Sequence, residues 1–108
     1  MPRYISLIRF TDKGSSGIKQ ATSRARAFAK SANRAGVTIE GQYWTLGQYD
    51  GVLIMNADSE EKVLHYLTLL SAAGYARTET LRAFVDDEFD GIARTPGTSK
   101  SAPASSPT

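Results

Sequence analysis

The segment GVLIMNA, Gly51 to Ala57, is the strongest constraint in the chain. A strand sends successive side chains to opposite faces, so Val52, Leu53, Ile54 and Met55 in a row give it two apolar faces, both of which need cover. A chain of 108 residues holds one domain, and a single helical layer covers only one face of a sheet. The other face needs a second source of cover.

The flanking patterns supply the remaining elements. Arg3 to Phe10, RYISLIRF, alternates with Ile5 and Leu7 on one side and Tyr4, Ser6, Ile8 and Phe10 on the other, which predicts a first strand. TDKGSSG has the short polar side chains and glycines of a turn. Ile18, Ala21, Ala25, Phe28, Ala29 and Ala32 recur at helical spacing up to Ala35 and Gly36, while Lys19, Arg26, Lys30 and Arg34 fall on the opposite side. Val37 to Leu46 reads as a second strand, joined to the third by a hairpin over Gly47 to Asp50. Asp58 to Glu61, DSEE, has the form of a capping box and opens a helix whose buried stripe is Val63, Tyr66, Leu67, Leu70 and Ala73, stopped by Gly74. Tyr75 to Val85 is a fourth strand, followed by a short acidic helical turn, DDEFDGIAR. The order βαββαβ predicts an α+β, ferredoxin-like fold: a four-stranded antiparallel sheet with both helices on one face. A second copy laid on the open face, most simply by two-fold symmetry, would cover the doubly apolar third strand.

The predicted domain spans 1–94. From Thr95 to Thr108 the chain holds three of its four prolines and mostly Ser, Thr and Ala, so 95–108 is expected to be a disordered tail. A net charge of +2 argues neither for nor against a polyanionic partner, but the basic side of the first helix has no interleaved aromatic residues, which argues against nucleic acid. With no cysteine there is no disulfide framework, thiolate nucleophile or Cys-based metal site. No apolar run reaches the roughly 18 residues of a membrane span, and Met1 to Phe10 alternates where a signal peptide would be solidly apolar. The expected setting is the cytoplasm. His65, the sole histidine, falls on the polar side of the second helix. The acids Asp86, Asp87, Glu88 and Asp90 lack the spacing of a calcium loop and suit a solvated helix start.

Seven residues, Tyr4, Ser6, Trp44, Tyr49, Asp50, Thr80 and Arg82, are the candidates for contact with a ligand or a partner. At the hairpin, Asp50 can bond backbone amides and Gly47 can take a positive φ, which is a sufficient structural reason for both. Tyr49 at the tip is suited to anchor an interface. Tyr43 and Trp44 are expected on opposite faces, with Trp44 a candidate contact. Placing Leu81 and Ala83 toward the helices leaves Thr78, Thr80, Arg82 and Phe84 on the open face beside Tyr4 and Ser6. There Arg82 requires an anion, either a carboxylate of a second subunit or the acid group of a ligand.

YISLIRFTDKG (Tyr4 to Gly14), TLGQYDGVLI (Thr45 to Ile54) and RTETLRAF (Arg77 to Phe84) together resemble the GYD family, small and mostly bacterial proteins named for a Gly-x-Tyr-Asp type turn. The chain differs from the usual pattern in Glu79, where a further Thr is more common, and in Gly51 directly after the Asp. The resemblance implies a ferredoxin-like fold of the dimeric α/β-barrel type. A similar hairpin in the effector-sensing domains of leucine-responsive and asparagine-type regulators, which bind small amino acids between subunits, corresponds to Gly47, Tyr49 and Asp50 here. The expected function is that of a homo-oligomer, at least dimeric, that binds a small organic ligand or serves as a regulatory interaction module without an identifiable cofactor. The alternative is a small cofactor-free enzyme of the same barrel type, monooxygenase or isomerase, in which an Arg, a Tyr and an Asp polarise an acidic substrate.

Overall fold

Strand β1 (Arg3–Phe10) lies inside the sheet, pairing antiparallel with β3 (Gly51–Asn56) on one edge and with β4 (Ala76–Ala83) on the other. Strand β2 (Thr38–Trp44) adds antiparallel beside β3, giving the order β2-β3-β1-β4. The computed structural model describes residues 1–96. The expectation of a disordered tail falls, beyond Pro96, outside the described residues.

TDKGSSG does more than turn the chain. Asp12–Ser16 forms a short helix α1, capped by the Thr11 hydroxyl, which accepts from the Gly14 N–H at 3.1 Å. A 3-10 turn over Ile18–Gln20 leads into α2 (Ala21–Arg34), which ends before Gly36 at φ 81°. The cap of α3 (Glu60–Ala73) is Ser59, one residue beyond the Asp58 of the expected box. Its hydroxyl accepts from the Lys62 N–H, while Asp58 pairs with the Lys62 ammonium at 2.9 Å. Gly74, at φ 84°, closes α3 in the left-handed conformation that favours glycine. The acidic run opens α4 (Asp86–Arg94), where the Glu88 carboxylate accepts from the Val85 N–H.

Helices α2 and α3 cover one sheet face and create the core there. Tyr4, Leu53 and Met55 from the sheet meet Ala32 of α2, Val63, Tyr66 and Leu70 of α3, and the connecting Val37 and Ala57. This is the expected α+β, ferredoxin-like class. Tyr66 is fully buried, and its hydroxyl donates to the Phe28 carbonyl at 2.8 Å, fastening α3 to α2. Burial pushes that phenol up to about 12. A second seam joins α1 to the end of α3: the Thr11 N–H donates to the Tyr75 carbonyl, and the Thr11 hydroxyl donates to the Gly74 carbonyl. The seam is so close at Gly14 that a Cβ there would lie 2.1 Å from the Tyr75 carbonyl oxygen.

The registers correct the expected faces. Tyr4 pairs with Met55 and Arg82, and Ser6 with Leu53 and Thr80, so Tyr4, Ser6, Thr80 and Arg82 share the face that the helices cover. Leu81 and Ala83, expected under the helices, are on the open face with Ile5 and Leu7. The physical reason is that two hydroxyls satisfy each other: the Ser6 and Thr80 oxygens lie 2.6 Å apart, so Ser6 can be fully buried.

The two buried tyrosines predict opposite outcomes. Tyr66→Phe breaks a buried hydrogen bond and should cost on the order of 1 kcal/mol at neutral pH, whereas Tyr4→Phe removes a buried hydroxyl that has no partner among the described residues and should leave stability unchanged or raise it. Keeping Tyr66 protonated contributes stability that is present in full below the ordinary phenol range near pH 10 and is lost as pH rises toward about 12. Urea denaturation of wild type and Tyr66→Phe should therefore show their gap shrinking over that alkaline window.

Candidate functional site

The loop from Thr45 to Asp50 is held by its own backbone and by β1. Gly47 has φ 99°, in open space, so glycine is required by conformation and not by crowding. Asp50 is fully engaged. Its N–H donates to the Ile8 carbonyl at 2.7 Å, its carboxylate accepts from the Phe10 N–H at 2.8 Å, and its carbonyl accepts from the Thr45 N–H at 3.0 Å. The Thr45 hydroxyl in turn donates to the Tyr49 carbonyl at 2.6 Å. Asp50 thus fastens the hairpin to the end of β1, beyond the last β1–β3 pair.

Tyr49 is carried across β1 by this anchoring. Its hydroxyl donates to the Glu79 carboxylate of β4 at 2.7 Å, and the Arg9 guanidinium lies 5.1 Å from its ring centre. That bond to a carboxylate is the main reason the Tyr49 phenol is held above its usual range. Glu79, which stands where the resembling family more often has Thr, was not among the candidate residues. Its signal in the sequence was the departure itself, on a strand two places from β3.

The open face is apolar at its centre and polar at its margins. Ile5 and Leu7 of β1 and Val52 and Ile54 of β3 are half-buried along the middle, and Leu81 of β4 and Tyr43 of β2 flank them at 46% and 60% exposure. One margin carries Arg3 and Glu40. A register shift between Ile39 and Gly41 bulges β2 at Glu40, and the Arg3 guanidinium grips its carboxylate with two bonds of 2.6 and 3.0 Å. Arg3 consequently holds the Glu40 carboxyl below its usual range. The other margin is the Arg9, Tyr49 and Glu79 group.

The seven candidates do not converge on one site. Tyr49 and Asp50 lie at the hairpin end, and Trp44 sits beside them on the helix side, its ring centre 6.2 Å from that of Phe10. Tyr43 projects to the open side, so the two aromatics do part as expected. Tyr4, Ser6, Thr80 and Arg82 lie toward the other end of β1, under or beside the helices. Arg82 donates to the carbonyls of Arg3 and Ala83 and lies over the rings of Phe84 and Tyr4, with centroid distances of 4.1 and 5.7 Å. Main-chain oxygens and ring faces thus meet the requirement that the sequence assigned to an anion. His65 is exposed on α3. Among the described residues, no helix is long and apolar enough to cross a membrane, and no His, Cys, Asp and Glu group could hold a metal ion.

Comparison with known proteins places this geometry in a family. The chain is 31% identical over 84 residues to a protein of Thermus thermophilus named glutamine synthetase and cystathionine beta-lyase binding protein, a match covering 77% of this chain and 88% of that one. The crystal structure of TTHA0845, also from Thermus thermophilus, superposes with a TM-score of 0.51 at 26% identity, covering 79% of this chain and 95% of that one. The family model described as the GYD domain matches residues 4–93, from the first residues of β1 into α4 and including the whole hairpin, and the chain belongs to the GYD domain family.

Proposed function

We propose that this protein is a self-associating interaction module that docks on other proteins, metabolic enzymes among them. The open sheet face is the observation that carries the first half. Leu81 and Tyr43 are exposed beside a continuous apolar centre, and the Arg3–Glu40 pair and the Tyr49–Glu79 bond close the rim with their charges satisfied. An apolar centre inside a polar rim is the composition of a protein interface. A second copy related by a two-fold axis presents the same surface and buries both faces of β3, giving the dimeric α/β-barrel arrangement.

The second half rests on the relative named for binding glutamine synthetase and cystathionine beta-lyase. A chain that shares most of its length with that protein is best read as an enzyme-binding module working in the cytoplasm. A catalytic reading has less support. Tyr49, Asp50 and Arg82 are spent on contacts within the chain, and the Asp50–Phe10 contact and the Tyr4–Arg82 pair lie six residues apart on β1, about 20 Å at roughly 3.3 Å per residue.

Sedimentation at micromolar concentration should show a dimer or a larger closed oligomer. Leu7→Glu should yield folded monomers, because the side chain leaves the helix-covered core untouched but places a charge in the centre of the interface. A wild-type monomer would refute the assembly. Asp50→Asn, whose amide oxygen can still accept from Phe10, should cost about 1 kcal/mol or less and leave assembly intact. Tyr49→Ala should weaken assembly by about tenfold or more, and equal behaviour of the two variants would remove Tyr49 from the interface. For the partner, the wild-type chain should co-elute with purified glutamine synthetase of the same cell, and the absence of any shift would count against enzyme binding.

A further inference from the structure

We infer that the protein has a small-molecule site on the opposite side of the sheet, between α2 and the strands, that takes a short carboxylic acid with an apolar tail. The site does not depend on the self-associating face or on enzyme binding. Its basis is a cavity of about 80 Å³. Ala21, Ala25 and Ala29 form one stripe of α2 over the sheet, and Phe10, Phe28 and Trp44 hold the surrounding walls apart. At about 10–15 Å³ for each water-sized group, there is room for about five to eight non-hydrogen atoms.

The head-group preference comes from Arg24, which also lines the cavity. A guanidinium has five donors, and the bonds formed here go to the Gly17 carbonyl at 2.7 Å and the Gly14 carbonyl at 3.3 Å. Arg24 lies 4.3 Å and Lys13 lies 4.4 Å from the centre of the Tyr75 ring, another wall residue. Two cations therefore lie against one aromatic ring, and among the described residues no carboxylate forms an ion pair with either. A part-buried guanidinium with donors to spare, set in an apolar wall, selects a carboxylate and orients the attached tail inward. The arrangement is rigid because Gly14 and Thr11 hold α1 against Tyr75.

The test is titration of the full chain with isovalerate, seven non-hydrogen atoms, monitored by NMR at the Trp44 indole and the ring of Phe28 and by calorimetry. Isovalerate should bind with a dissociation constant of roughly 0.1 to 5 mM, and isovaleramide, of the same shape without the charge, about tenfold or more weaker. Arg24→Gln should remove that preference for the acid. Ala25→Leu, which fills the cavity, should abolish binding while the melting temperature holds or rises. Wild type alone can overturn the proposal: no saturable shift at about 20 mM isovalerate, or equal binding of acid and amide, refutes the site. Retained binding in a folded Ala25→Leu protein would place the ligand elsewhere and refute it as well.

Discussion

The phase of β1 governs the molecule. It is bonded along both edges, so the side its Tyr4 takes sets, through Met55 and Arg82, the side taken by every residue of β3 and β4. With Tyr4 and Ser6 inward, Leu53 and Met55 meet the helices, and Ile5, Leu7, Val52 and Ile54 are directed to the open side. Reversing that phase would bury Arg9, Arg77 and Glu79 under the helices. Burying three charged side chains without partners costs far more than burying one satisfied hydroxyl pair. The open apolar face is thus a consequence of where the chain's charges can go.

The same phase explains how much of the architecture the sequence disclosed. The element order, the two helical stripes and the doubly apolar β3 rest on spacing, which survives any choice of face. The choice itself turns on Ser6 and Thr80. Each reads as a solvent-facing residue alone, and only the pairing of strands distant in sequence, 74 residues apart, brings their oxygens to 2.6 Å and makes them interior. Arg82 misleads in a similar way, because the ring of Phe84 and the carbonyl of Arg3 that receive it lie near the strand's end and cannot be assigned from periodicity. The α1 turn was concealed by its composition: Gly14, which argues against helix locally, is required by the Tyr75 carbonyl pressed against it.

At the hairpin the sequence singled out Gly47, Tyr49 and Asp50 but could not divide their labour. Gly47 and Asp50 were readable as turn chemistry, and the bonds of Asp50 to Ile8 and Phe10 show that the turn is also a clamp on β1. The reach of Tyr49 to Glu79 was not readable, because it depends on the clamp fixing the tip over β1. Glu79 thereby has a use that a Thr, two atoms shorter, could not serve at the same backbone position.

These contacts place two different chemistries on the two sides of one four-stranded sheet. Toward the open side Arg3 is paired with Glu40 and the Glu79 carboxylate accepts from Tyr49, so a surface docking there meets these satisfied polar groups around an apolar centre and gives up little hydration. Toward α2, Arg24 and Lys13 lie against Tyr75 with carbonyl oxygens as their acceptors and, among the described residues, no carboxylate in an ion pair with either. An unpaired cation beside an apolar wall retains attraction for an anion, while a paired one has largely spent it. Protein contact therefore suits the first surface and an acidic small molecule the second. Both surfaces draw on β3, through Val52 and Ile54 on one side and Leu53 on the other, so the doubly apolar strand is the element through which the two could be felt together.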